Sequence, residues 1–125
     1  MTGVGRLTAL VLECSDAPAL AAFWSDVLGL EVLIAEPGWV SLGRTAERRL
    51  CFQAVDGYRP PTWPGGAGDQ QMHLDVLVED LDAATRAVID LGATALTDVL
   101  DPEDKEWRIF ADPAGHPFCL LTAPE

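Results

Sequence analysis

The chain has 125 residues, a formal net charge of −12 and 49% hydrophobic residues. That length makes one domain, or two half-domains on one core, able to bury roughly two thirds of its unfolded surface, and the apolar share excludes a disordered chain. The acidic balance excludes a nucleic-acid backbone as partner, since that needs clustered Lys and Arg; it suits neutral or cationic small ligands, or serves solubility alone.

The opening MTGVGRL has no charged-then-apolar leader, and no apolar run reaches membrane-spanning length, so neither a leader nor a membrane partner is expected. Three cysteines, an odd number, point to reduced thiols in the cytoplasm. Leu7 to Cys14 reads as a strand. Asp16 caps a following helix with an apolar stripe at Leu20, Phe23, Trp24, Val27 and Leu28, and Pro18 is tolerated in its first turn. Gly29 ends that helix, and Glu31 to Ala35 is the next strand. After a turn at Pro37-Gly38, Trp39 to Gly43 and Leu50 to Val55 form a hairpin-like pair. Residues 56–71, rich in Pro and Gly, are a long loop in which Tyr58 and Trp63 either lid the core or meet a ligand.

The order then repeats: a strand at 73–78, a helix at 81–91 capped by Asp80 and stopped by Gly92, and strands at 94–98, 106–111 and 117–122. At an offset of 64, Leu74, Asp80, Ala83 and Asp90 fall on Leu10, Asp16, Ala19 and Asp26. At 68, Trp107 falls on Trp39 and Cys119 on Cys51. Two rare residue types agreeing on one offset mark a duplicated βαβββ unit.

Strands alternate their faces, so this alignment predicts which residues share one. With Leu10, Leu12, Leu74, Val76 and Val78 under the helices, the opposite face carries Ala9, Val11, Glu13, Cys51, Gln53, His73, Asp75, Leu77, Pro117, Cys119 and Leu121. A largely apolar face with a few polar groups is the make-up of a small-ligand site. A register off by one would instead point Glu13, Gln53, His73 and Asp75 at the helices or solvent.

His73 is a candidate general base, because imidazole titrates near pH ~6.5; against that, a lone strand histidine is commonly satisfied within a core. Glu13 is a carboxylate between Leu12 and Cys14. Burial would make it meet a cationic ligand or an internal partner among His73, Arg108 and Arg6. Trp63 and Trp107 either stack on a flat ligand or simply pack. His116 reads as a surface residue of the turn Asp112 to Pro117.

The duplicated unit, the His73 strand, the helix after Asp80 and the ending DPAGHPFCL resemble the glyoxalase/bleomycin resistance/dioxygenase superfamily, also called vicinal oxygen chelate, and within it small bacterial glyoxalase-like proteins. The resemblance implies an α+β fold in which two tandem βαβββ modules make an eight-stranded, partly open cupped mixed sheet with helices outside. The first module would cover about 7–55, the linker loop 56–71 and the second module about 72–123. Metal-using members carry one ligand on the first and one on the last strand of each module, here Ala9, Cys51, His73 and Cys119. Only His73 keeps the usual type, so no metal or other cofactor is expected. The alternative is a catalytic zinc held by Cys51, His73 and Cys119 with an open corner; the bland reading makes both cysteines small apolar strand residues.

The expectation is a cytoplasmic small-molecule-binding protein, metal-free, holding an organic and possibly cationic ligand in an acidic, aromatic-edged cup. That cup would be lined by Ala9, Val11, Glu13, Cys51, Gln53, Trp63, His73, Asp75, Trp107 and Cys119. Two alternatives stand beside it. One is a lyase, isomerase or dioxygenase using the zinc site, or using His73 and Glu13 as metal-free acid and base. The other is a dimeric interaction module without ligand. A homodimer is expected under each, by analogy with the family.

Overall fold

The computed structural model describes residues 3–45, 48–61, 72–96 and 107–122. The chain divides into two compact units, Met1–Arg59 and Pro60–Glu125, each with its own four-stranded mixed sheet and one helix. The first module runs β1 (Ala9–Cys14), α1 (Ala17–Leu28), β2 (Glu31–Glu36), β3 (Trp39–Gly43) and β4 (Arg49–Ala54). Its strand order is β1-β4-β3-β2: β1 and β4 are parallel, and the β2–β3–β4 meander is antiparallel. The second module runs β5 (Leu74–Leu77), α2 (Leu81–Leu91), β6 (Thr94–Ala95), β7 (Trp107–Ala111) and β8 (Pro117–Leu121), in the matching order β5-β8-β7-β6. The fold is α+β, and each half repeats βαβββ. Among the described residues, no helix is long and apolar enough to cross a membrane.

Local chemistry accounts for the helix limits. Asp16 and Asp80 accept from Ala19 N and Ala83 N, each at 3.0 Å, so each fills one of the orphan donors of a first turn. Gly29 closes α1 at φ 65°, and Gly92 closes α2 at φ 118°. α1 buries Leu20, Phe23 and Trp24 against β3 and β4, whose Val40, Leu42, Leu50 and Phe52 are also buried. Val27 and Leu28 of the expected stripe are only half-buried. α2 is the lighter anchor: Thr85 and Val88 are buried, Leu81 and Ala84 are half-buried, and Leu91 is exposed. Across the second core, Phe110 stacks on Phe118 with centroids 5.5 Å apart.

Some limits differ from those read along the sequence. The strand expected at 94–98 is a strand only over Thr94–Ala95, and residues 97 and 98 lie outside the described part. Glu106, Trp63 and most of the 56–71 loop lie outside it too. Every residue of β2 is exposed, including Val32, Leu33 and Ile34, and its pairing to β3 shifts register between Val32 and Ile34.

The turn joining β7 to β8 is tightly specified. Gly115 sits at φ 90°, where side chains are disfavoured, and a Cβ added there would lie 2.5 Å from Pro60 Cβ. Pro60 is a ring and cannot swing aside as a flexible chain would. Gly115→Ala is therefore expected to cost about 2 kcal/mol, from backbone strain plus overpacking. In urea denaturation, Gly115→Ala combined with Pro60→Gly should recover only the steric share.

Candidate functional site

In the second module, Arg108 identifies the helix side of the sheet. Its Nη1 donates to Thr85 Oγ1 at 2.9 Å and to Leu81 O at 3.5 Å, and Nη2 donates to Asp82 Oδ1 at 2.8 Å. Arg108 pairs in register with Leu120, which pairs with Val76, so these three share that side. Their neighbours in sequence point the other way: Asp75, Cys119 and Ile109 form one lateral row, and Leu77, Leu121 and Trp107 form the next.

On this face, opposite α2, His73, Asp75 and Cys119 converge. His73 Nε2 lies 3.2 Å from Asp75 Oδ1, with the side chains 40% and 43% exposed. One ligand atom from each of His73, Asp75 and Cys119 lies within 4.8 Å of the other two. The local sequence explains this. Asp75 stands two residues after His73, and β8 places Cys119 directly beside Asp75. Cys119 is buried and in no disulfide, while Leu77 is exposed and Ile109 half-buried. The arrangement offers an imidazole, a carboxylate and a thiol on an apolar floor.

The first module presents the corresponding face with different chemistry. Ala9, Val11 and Glu13 pair in register with Arg49, Cys51 and Gln53, while Leu12 pairs with the buried Phe52. Glu13 and Gln53 are both exposed, so the cost of burying an unpaired carboxylate does not arise at Glu13. Arg108, one expected partner for Glu13, instead serves α2 within its own module. Cys51 is fully buried; its Sγ lies 3.0 Å from Ser41 Oγ, which also accepts from Arg49 Nη1 at 3.4 Å. Sequence reasoning singled out neither Ser41 nor Arg49. Ser41 was findable, because it lies in phase with Trp39 on β3, and that strand pairs with β4.

Trp107 is 40% exposed on the same face of the second-module sheet, opposite α2. His116, expected at the surface, is half-buried, and its backbone N–H donates to Asp112 Oδ1. Of the four positions at which the family resemblance puts metal ligands, Ala9 supplies no donor atom, and the Cys51 thiol contacts Ser41. A complete four-donor set is therefore missing from those positions. The convergent donors are instead His73, Cys119 and a residue outside that pattern, Asp75.

The sequence pattern of a family described as a glyoxalase-like domain matches residues 9–121. No curated protein matches the chain. Among solved structures, the chain is similar to a glyoxalase/bleomycin resistance protein/dioxygenase family enzyme from Burkholderia phytofirmans PsJN, at 19% identity and a TM-score of 0.71, covering 96% of this chain and 100% of that one. A glyoxalase family protein from Enterococcus faecalis is 22% identical at a TM-score of 0.65, over 94% of this chain and 98% of that one. The E126Q mutant of the fosfomycin resistance protein FosX from Listeria monocytogenes, complexed with Mn(II) and 1S,2S-dihydroxypropylphosphonic acid, is 17% identical at a TM-score of 0.67, over 98% and 95%. At these identities the likeness is one of fold.

Proposed function

Because the chain belongs to the glyoxalase-like domain family, whose fold binds small-molecule ligands, we propose that it binds a small organic molecule carrying positive charge, on the face of the second-module sheet opposite α2. The observation that carries this reading is the His73–Asp75 pair, partly exposed and 3.2 Å apart, on a floor that is otherwise apolar. A few convergent polar groups on apolar ground fix a ligand's orientation while the ground supplies affinity. Asp75 provides the anionic anchor, the exposed indole of Trp107 provides a surface for a cation, and the net charge of −12 raises the local concentration of cations. Glu13 and Gln53 offer a similar acidic and amide pairing on the first-module sheet.

The test is a thermal-shift series on full-length protein kept in EDTA, using matched amphiphiles with quaternary ammonium, neutral and carboxylate heads. The cationic member is expected to raise Tm by about 10 °C at a hundredfold excess over Kd. Asp75→Asn should weaken its binding about tenfold, as expected when a partly exposed charge is removed. A preference for the carboxylate member, or an unchanged response in Asp75→Asn, would sink the reading. The His73–Asp75 contact also favours a second reading, in which the carboxylate orients imidazole as a general base. Mass spectrometry of the recovered ligand separates the two: an unaltered compound supports binding, an altered one supports catalysis.

A further inference from the structure

We propose that Arg44, Arg48 and Arg49, at the end of the β3–β4 hairpin in the first module, bind the phosphate group of a small organic phosphate whose apolar part lies over Leu33 of β2. The site shares no residue with the cationic ligand proposed for the second module. It also uses none of the positions at which the family resemblance puts metal ligands.

Three of the chain's eight basic residues stand within the six positions 44–49, where three arginines less Glu47 give +2 in a chain of −12. The register brings them to one end of the sheet: β3 and β4 pair as far as Leu42 with Leu50, and Arg44 and Arg48 each lie two residues beyond. Arg49 N donates to Thr8 O at 3.0 Å, so the segment before β1, with Arg6, enters at the same end. Arg44 and Arg48 are exposed, and neither forms a hydrogen bond or ion pair among the described residues. Arg48 is also the one non-glycine residue there with positive φ, at 58°. Such backbone costs energy and breaks the alternation that would send Arg48 and Arg49 to opposite faces. Arg49 is half-buried and under-satisfied. Its Nη1 reaches Ser41 Oγ at 3.4 Å, whereas Nε is the one buried side-chain N or O atom without a hydrogen-bond partner among the described residues. Gly43 makes room beside it: a Cβ there would lie 3.4 Å from both Arg49 Cγ and Leu33 Cδ1.

Chemistry then selects the ligand. Nε and Nη2 line one edge of a guanidinium, the edge that takes two oxygens of a phosphate at once, and a buried donor left without an acceptor is costly. Because Nε is covered, this contact takes a rotation of the long Arg49 side chain. Three neighbouring guanidinium groups repel one another, and a phosphate monoester brings about −1.5 to −2 charges with three acceptor oxygens, whereas a carboxylate brings one charge and two. Glu31, beside Gly43 in register, forms no ion pair with the arginines among the described residues. Next to the Arg49 stem, the 40% exposed Leu33 on the edge strand β2 offers an apolar surface to the organic part. A charged anchor beside apolar ground is how small ligands are held and oriented.

The test titrates full-length protein, in phosphate-free buffer, with phenyl phosphate, inorganic phosphate and benzoate by calorimetry. Phenyl phosphate should bind at one site per chain, about fivefold or more tighter than benzoate. Inorganic phosphate should bind about threefold more weakly than phenyl phosphate, and Leu33→Ser should close that gap. Arg44→Gln and Arg49→Gln should each weaken phenyl phosphate about tenfold, as loss of a charged hydrogen bond does. Arg48→Gly relaxes the left-handed backbone while removing a charge, so Tm should hold or rise as binding falls about fivefold. A purely structural arginine would not split stability from binding in this way. Arg86→Gln, an exposed position on α2, and Asp75→Asn should bind phenyl phosphate as the parent does, which separates this site from the second-module ligand. The proposal is overturned by the absence of saturable binding, by benzoate matching phenyl phosphate, or by inorganic phosphate matching it. Full affinity in both Arg44→Gln and Arg48→Gly, the result that merely solvated arginines would give, also overturns it.

Discussion

Replacing Trp24 by alanine is expected to remove about 4 kcal/mol of stability, the largest loss we expect from truncating one core side chain. The indole is fully buried on α1 and meets Phe23 edge-to-face, with centroids 5.2 Å apart and planes at 88°. It belongs to the helix stripe that faces β3 and β4 and is the largest fully buried side chain among the described residues. Removing it loses transfer free energy and also leaves a cavity that a packed helix and sheet cannot close. Trp107→Ala is the matched control, since that ring is 40% exposed; its cost should be about 1 kcal/mol or less. Urea denaturation should show the midpoint falling steeply for Trp24→Ala with the m-value preserved.

Asp112→Ala is expected to cost about 3 kcal/mol, although it alters a turn. Asp112 is 3% exposed, and its Oδ1 accepts from both Ala114 N and His116 N at 2.9 Å. The backbone adds Asp112 N to His116 O at 2.9 Å and Gly115 N to Asp112 O at 2.8 Å. Alanine would strand two backbone donors in a partly buried turn, and bonds to a charged acceptor are worth about 1.5–3 kcal/mol each, though not additively. Asp112→Asn keeps an acceptor oxygen and should lose only about 1 kcal/mol. Because this turn sets the pairing of Ile109 with Cys119, a thiol-reactivity assay should show Cys119 exposed in the alanine variant and protected in the asparagine variant.

The features legible in the sequence were those decided within a few residues or by rare matches. Asp16 and Asp80 announced the helix starts because a short carboxylate has little else to do before an apolar stripe. The Trp39/Trp107 and Cys51/Cys119 matches announced the duplication, and the structure gives each pair equivalent slots. Trp39 lies beside Gln53 and Trp107 beside Leu121, one row from the cysteines in both modules. Strand order was not legible, because it depends on contacts between distant segments. Without the β5–β8 neighbourhood, Asp75 was one polar residue on a shared face and not a donor next to Cys119. Grouping His73 with Cys51 followed family positions, whereas the Cys51 thiol contacts Ser41, a residue two registers of alternation could place but no motif marked. The exposure of Glu13 was equally hidden, since a carboxylate between Leu12 and Cys14 looks buried until its face of the sheet is known.

The two sheets share one address system. Val11 stands beside Cys51 as Asp75 stands beside Cys119, and Ala9 precedes Val11 as His73 precedes Asp75. Two exchanges, Ala9→His and Val11→Asp, would therefore write the donor triad of one half into the other, with Ser41 as the remaining competitor for the sulfur. Duplication has left this small scaffold with an equivalent register position in its first sheet, which mutation could fill without altering the strand pairing.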